Sequence, residues 1–175
     1  MAFLTRRAGV LAIMALAMVA AASAARPPKE LCAKTIVVTE LYNEDTLSVP
    51  EFLMTETNQT KFIGYSLGFL DEAVWGGSGD SGRKAGDVVS ACFVNSVSGD
   101  DGWMLNYCTT TLTFGDHGAI SWMGQFPDKQ DNEFYNPIVG GTGIFEGARG
   151  TVRTNIVLEA TRWRYQFKLL SSPLC

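Results

Sequence analysis

Several things are scarce in this chain of 175 residues, and each scarcity removes a class of function. Basic residues are few and scattered: 14 lysines and arginines face 18 acids, for a formal net charge of -4, and no basic cluster follows Arg6 and Arg7. Nucleic-acid affinity comes mainly from counterions released by lysine and arginine contacts, so nucleic-acid partners are excluded. Histidine occurs once, as His117 in a Gly-Asp-His-Gly turn, where turn preference gives it a structural role. One histidine cannot build a metal site, and with paired thiols a zinc cluster lacks ligands. A serine hydrolase would rest wholly on that histidine, with no nucleophile elbow in sight. No metal and no cofactor is expected. Beyond residue 24 no stretch is apolar enough to cross a bilayer, and no convincing amphipathic helix is visible.

What is present begins with an export signal. Arg6 and Arg7 precede an apolar run from Ala8 to Ala22, which closes on the small-residue triplet Ala22-Ser23-Ala24. Residues 1–24 are read as a signal peptide, and the rest, 25–175, as one domain in a secreted, extracellular protein. Removing the signal takes two arginines with it and moves the formal charge from -4 to -6.

Cys32, Cys92, Cys108 and Cys175 all survive processing, and an even count in an exported chain predicts two bridges. In an antiparallel hairpin the indices of paired residues have a constant sum. Cys92 and Cys108 are symmetric about Asp100, inside the turn Ser98 to Gly102, so they should face each other across one hairpin. Cys32 is then left to find Cys175. Asn58-Gln59-Thr60 is a glycosylation sequon and marks Asn58 as a surface residue.

Between Lys34 and Leu170 short segments rich in Val, Ile, Thr and aromatic residues alternate with Gly, Asp, Asn and Pro clusters, an all-β pattern. Eight strands are predicted: Lys34–Asn43, Thr60–Trp75, Asp87–Val97, Trp103–Phe114, Ala119–Phe126, Glu133–Phe145, Thr151–Glu159 and Arg162–Leu170. The last alternates most clearly, Trp163, Tyr165, Phe167 and Leu169 against Arg162, Arg164, Gln166 and Lys168, so one of its faces is buried. Linked hairpins without helices favour a sandwich or a barrel. The runs Trp75 to Gly86 and Pro127 to Asn132 read as surface turns.

The run Gly140-Gly141-Thr142-Gly143-Ile144-Phe145-Glu146-Gly147-Ala148-Arg149-Gly150 is the most distinctive. It is not a dinucleotide fingerprint, because Glu146 stands where the third glycine is needed and a strand follows instead of a helix. Its glycines read as strand bends or points of close backbone packing. The run resembles the GGTG-F-x-x-A-x-G signature shared by allene oxide cyclases and dirigent proteins. Upstream, Phe114-Gly115-Asp116-His117-Gly118-Ala119-Ile120-Ser121 is similar to a cyclase segment at matching distance. The export signal and the terminal cysteines look like those of dirigent proteins.

This resemblance implies an eight-stranded antiparallel β-barrel of the allene oxide cyclase/dirigent type, often a homotrimer, with a cavity for a small hydrophobic or phenolic ligand. It also implies site residues. Glu40, Asn43, Ser48 and Pro50 follow the order of a cyclase catalytic set, although Asn43 is displaced by one residue and Val49 separates Ser48 from Pro50. In that set Glu40 would place negative charge beside a developing carbocation, while Asn43, Ser48 and the Pro50 carbonyl position a water at the opposing oxyanion. Phe126 stands where cyclases carry a tyrosine. Asp71 falls near a cavity asparagine, though by itself it reads as an exposed turn acid. Arg149 matches the Ala-Arg-Gly of dirigent proteins, where it is implied to line the pocket.

Three functions follow from the resemblance: a dirigent-like barrel steering the coupling or cyclisation of a reactive small molecule, an isomerase of allene oxide cyclase type acting on a fatty-acid epoxide, and a non-catalytic carrier.

Overall fold

In the computed structural model, residues 26–76, 82–99, 102–158 and 161–175 are described. The expected export signal, most of the glycine-rich loop after Trp75 and the centre of the Ser98 to Gly102 turn lie outside the described residues. Eight strands run β1 Thr35–Leu41, β2 Ser66–Trp75, β3 Lys84–Val97, β4 Met104–Thr113, β5 Gly118–Pro127, β6 Glu133–Gly143, β7 Gly150–Leu158 and β8 Arg162–Leu169. Each pairs antiparallel with its neighbour in sequence, and β1 also pairs with β8, so the sheet closes into a barrel. Short 3-10 turns are the only helical elements among the described residues, and no helix there is long and apolar enough to cross a membrane.

Closure follows from the alternation. Trp163, Tyr165, Phe167 and Leu169 of β8 are buried in the lumen, while Arg162, Arg164, Gln166 and Lys168 point outward. Across the closing seam Val38 lies opposite Tyr165 and Glu40 opposite Trp163, which puts Glu40 on the inside.

One end of the lumen is packed solid. Trp122 meets Tyr165 and Phe167 with ring centroids 5.1 Å apart, and Phe114 meets Phe145 at 5.2 Å. Each such side chain contributes about 1.5–3 kcal/mol by leaving water. The glycine run serves this closed end. Its turn tucks Phe145 and Ala148 under the barrel. Gly143 has φ +61° and lies against β5 so closely that a Cβ there would sit 2.4 Å from the His117 carbonyl oxygen. The expectation of close backbone packing holds at this position.

Both expected disulfides are present, Cys92 with Cys108 and Cys32 with Cys175. Cys92 and Cys108 face each other directly across the β3–β4 hairpin with Cα atoms 4.0 Å apart. Cys32 and Cys175 bring the ends of the domain to 5.8 Å.

One predicted strand is too long. Thr60 to Tyr65 does not extend β2; Gln59–Phe62 is a 3-10 turn. Asn58 Oδ1 accepts from the Thr60 N–H at 3.1 Å and from its hydroxyl at 2.7 Å, capping that turn. Gly64, at φ +88°, then bends the chain into β2. The β-branched and aromatic composition of this segment mimics a strand, but local side-chain capping decides its conformation.

Candidate functional site

The open half of the lumen carries a different set of side chains. β1 contributes Glu40, β2 contributes Phe69 and Asp71, and β3 and β4 contribute Ser90 and Thr110 with Asn106 nearer the mouth. Phe126, Trp163 and Tyr165 form the aromatic wall, Asp128 also lines the cavity, and the Cys92–Cys108 bridge lines its β3–β4 side. Counted out to its open mouth the cavity is about 380 Å³, but the part in which a water molecule can move is a narrow slot of about 40 Å³. That slot holds a few waters.

Two carboxyl groups lie at the heart of this slot, Glu40 at 3% and Asp71 at 2% exposure. Burying a carboxylate disfavours its charge unless donors compensate. Tyr165 donates its hydroxyl to Glu40 Oε2. Burial outweighs that bond, and with the proximity of Asp71 and Asp128 it pushes the Glu40 carboxyl up to about 8, so Glu40 is a neutral acid at pH 7. Burial, then the Glu40 charge, likewise pushes the Tyr165 phenol well above its ordinary value.

Asp71 is fixed by the loop that follows β1. Its Oδ1 accepts from the Asn43 backbone N–H at 2.9 Å and the Thr46 hydroxyl at 3.1 Å. Its Oδ2 is buried and accepts no bond from the protein's fixed donors, and neither does Asn106 Oδ1 in the same cavity. The Glu40 and Asp71 carboxyls hydrogen-bond each other through the proton that Glu40 keeps. The Ser90 hydroxyl is satisfied by Thr110 at 3.0 Å. Phe126 packs edge-on against Phe134 at 5.1 Å and Trp163 at 6.2 Å. Trp163 in turn donates its indole N–H to Asp128 at 3.3 Å. No group of three or more metal-ligating side chains occurs among the described residues.

The sequence-predicted residues divide into two groups. Glu40, Asp71 and Phe126 meet in the cavity. Asp71 is therefore not an exposed turn acid: it lies within β2, paired with Val88 of β3, and its side chain is turned inward by the pleat.

Asn43, Ser48 and Pro50 do not line the cavity and stay on the rim loop. Asn43 uses its side chain to cap the turn Glu44–Thr46, and Ser48 pairs through its backbone with Gly68, which latches the loop onto β2. Arg149 is also outside the cavity, exposed at the packed end of the barrel. The turn there buries Ala148, and the next residue faces out. Asn58 is exposed, as a sequon requires.

Tyr165, Trp163, Asn106 and Asp128 were not singled out from the sequence. The alternation of β8 already put Tyr165 and Trp163 on a buried face. Pairing the last strand antiparallel with the first would have brought them beside Glu40.

Comparison with known proteins gives the same architecture. Among solved structures, a pyocyanin demethylase is similar with a TM-score of 0.54 at 21% identity, over 77% of this chain and 98% of that one. A pterocarpan synthase dirigent protein gives a TM-score of 0.60 at 15% identity, over 75% and 80% of the two chains. An exo-specific intermolecular Diels-Alderase gives 0.54 at 15% identity, over 77% and 96%. At these identities the likeness is one of fold. The family model described as "Allene oxide cyclase barrel like domain" matches residues 53–169. That span runs from the rim loop through β8, and on this match the chain belongs to the allene oxide cyclase barrel-like family.

Proposed function

We propose that this protein is an exported barrel that binds a small, largely apolar guest bearing hydroxyl or carbonyl groups and steers its cyclisation or coupling. The observation that carries the reading is the Glu40–Asp71–Tyr165 cluster, buried beneath an aromatic wall in the open half of the lumen. Phe69, Phe126 and Trp163 offer faces for an aromatic guest. Asn106 Oδ1, a buried acceptor without a donor from the protein, favours a guest that brings its own hydrogen-bond donor. A phenol does so and a fatty-acid epoxide chain does not, which favours the dirigent-like reading over the cyclase one. The rim location of Asn43, Ser48 and Pro50 weighs in the same direction.

The chemistry suited to the cluster is proton transfer during ring closure. As a guest hydroxyl attacks an electron-poor carbon, electrons move onto the guest's carbonyl oxygen, which takes the Glu40 proton. Asp71 accepts the proton released by the attacking hydroxyl and returns it to Glu40, so the step is an isomerisation with no net redox change. Glu40 acts here as a neutral acid, not as the anion beside a cation that the resemblance implied. The narrow slot sets which face reacts. A Diels-Alderase and a pterocarpan synthase dirigent protein among the similar folds agree with a ring-forming or coupling role. Two disulfides support an extracellular setting, where Asn58 would carry a glycan.

The test is incubation of the secreted protein with an ortho-quinone methide precursor carrying a pendant hydroxyl, followed by chiral chromatography. One enantiomer in excess, lost in Glu40→Gln, is expected. A racemic product with both proteins overturns the reading, and conversion of a fatty-acid allene oxide to one cyclopentenone enantiomer replaces it with the cyclase. A guest retained unchanged in native mass spectrometry leaves a carrier.

A further inference from the structure

Closure of the barrel gathers charge that is scattered in sequence. The outward positions of β7 and β8 alternate with lumen residues, and neighbouring strands put Arg153 opposite Gln166, Asn155 opposite Arg164, and Thr151 opposite Lys168. The result is a polar furrow across the outside of β7, β8 and β1. Two adjoining hollows of about 280 and 230 Å³ make it up, and they share Arg153 and Gln166. Among the described residues Glu133 is the acid on this face; its hydrogen bond to Arg153, and then the charges of Arg153 and Arg164, hold its carboxyl below the usual range. Among the described residues Arg153, Arg164 and Lys168 thus share one carboxylate, so the face is net cationic on a chain whose formal charge is -4.

We propose that this furrow is a second binding surface, separate from the lumen, for an anionic polysaccharide. Charge complementarity selects the sign of the partner, because the rest of an acidic surface repels a polyanion and leaves this face as its landing site. The side chains select a sugar polymer. Gln166 and Asn155 carry amides suited to ring hydroxyls, the guanidinium of Arg164 presents a planar fork to a carboxylate, and Tyr135, 63% exposed, offers a ring face at the furrow's edge. A disulfide-bonded protein works where such polymers lie and where nucleic acids are rare.

The experiment is affinity electrophoresis of the full secreted chain in gels containing polygalacturonate, dextran sulfate or neutral dextran, with a short DNA duplex in a parallel shift assay. Retardation by polygalacturonate, fading as ionic strength rises from about 0.01 M to about 0.15 M, is expected. The variant Arg164→Gln/Lys168→Gln should bind about tenfold more weakly, with far-UV circular dichroism and both disulfides unchanged. Stronger retention by dextran sulfate narrows the partner to sulfated polymers within the same class. Equal retention by neutral dextran, equal binding of the double variant, or tighter binding of the DNA duplex overturns the proposal. None of these outcomes depends on lumen chemistry, so the two functional readings stand or fall separately.

Discussion

The buried acid in the lumen makes folding stability depend on pH in a direction opposite to that of most carboxylates. Glu40 rises from an ordinary 4.5 to about 8 on folding, mainly through burial. Between those values the folded chain holds a proton that the unfolded chain has released, so stability falls as pH rises through this window. Its contribution is intact below 4.5 and is lost above about 8. The gap corresponds to a loss on the order of 5 kcal/mol, a third or more of the stability of an ordinary domain.

Glu40→Gln replaces the neutral acid with a neutral amide of the same shape, whose oxygen still accepts from Tyr165. The variant should match the wild type near pH 5 and exceed it by several kcal/mol near pH 9. Urea unfolding with the disulfides intact, repeated along that pH range, gives the difference between the two proteins and cancels every other titrating group. Curves that stay parallel from acid to alkali would mean that Glu40 ionises in the fold as it does in water, and the neutral-acid argument would be refuted.

Ring-closing activity should fall above about pH 8 as Glu40 loses its proton, and Glu40→Gln should lower the rate by about 10²–10⁴ in assays near neutrality. Removing Cys32–Cys175 should cost more than removing Cys92–Cys108, because the loops span 143 and 16 residues; chain entropy gives about 5 against about 3 kcal/mol, read from denaturant midpoints of the double alanine variants. Gly143→Ala should destabilise by at least about 2 kcal/mol, since its φ is +61° and its Cβ would strike the His117 carbonyl; thermal unfolding checks it. Self-association is expected through the exposed apolar face where Phe93 pairs with Tyr107 and Leu70 with Val89, so Phe93→Glu should shift light-scattering mass toward the monomer.

Much of the barrel was legible from alternation and punctuation. The symmetry of Cys92 and Cys108 about Asp100 reveals the β3–β4 register from Asp87 to Val94, whereas a bulge between Val94 and Ser96 shifts the pairing by one nearer the turn and leaves no mark in the cysteine spacing. Thr60 to Tyr65 has the composition of a strand, whereas the Asn58 side chain makes the local bonds that prevent one. In the site, Glu40 and Asp71 sit on strands, where the pleat turns them inward. Arg149, Ser48 and Asn43 sit in turns, where spacing carries no information on direction. Tyr165 was visible as a buried aromatic but not as a partner of Glu40, since the two are 125 positions apart and meet only when the first and last strands join.

The bridge between Cys32 and Cys175 makes the domain a covalent ring. A protease that cuts one exposed loop opens the ring without freeing a fragment, and each cut end stays held by the strand pairing beside it. A singly nicked molecule would migrate as one band without reductant and as two with it, so the first cut in a loop leaves the eight strands in one covalently joined barrel.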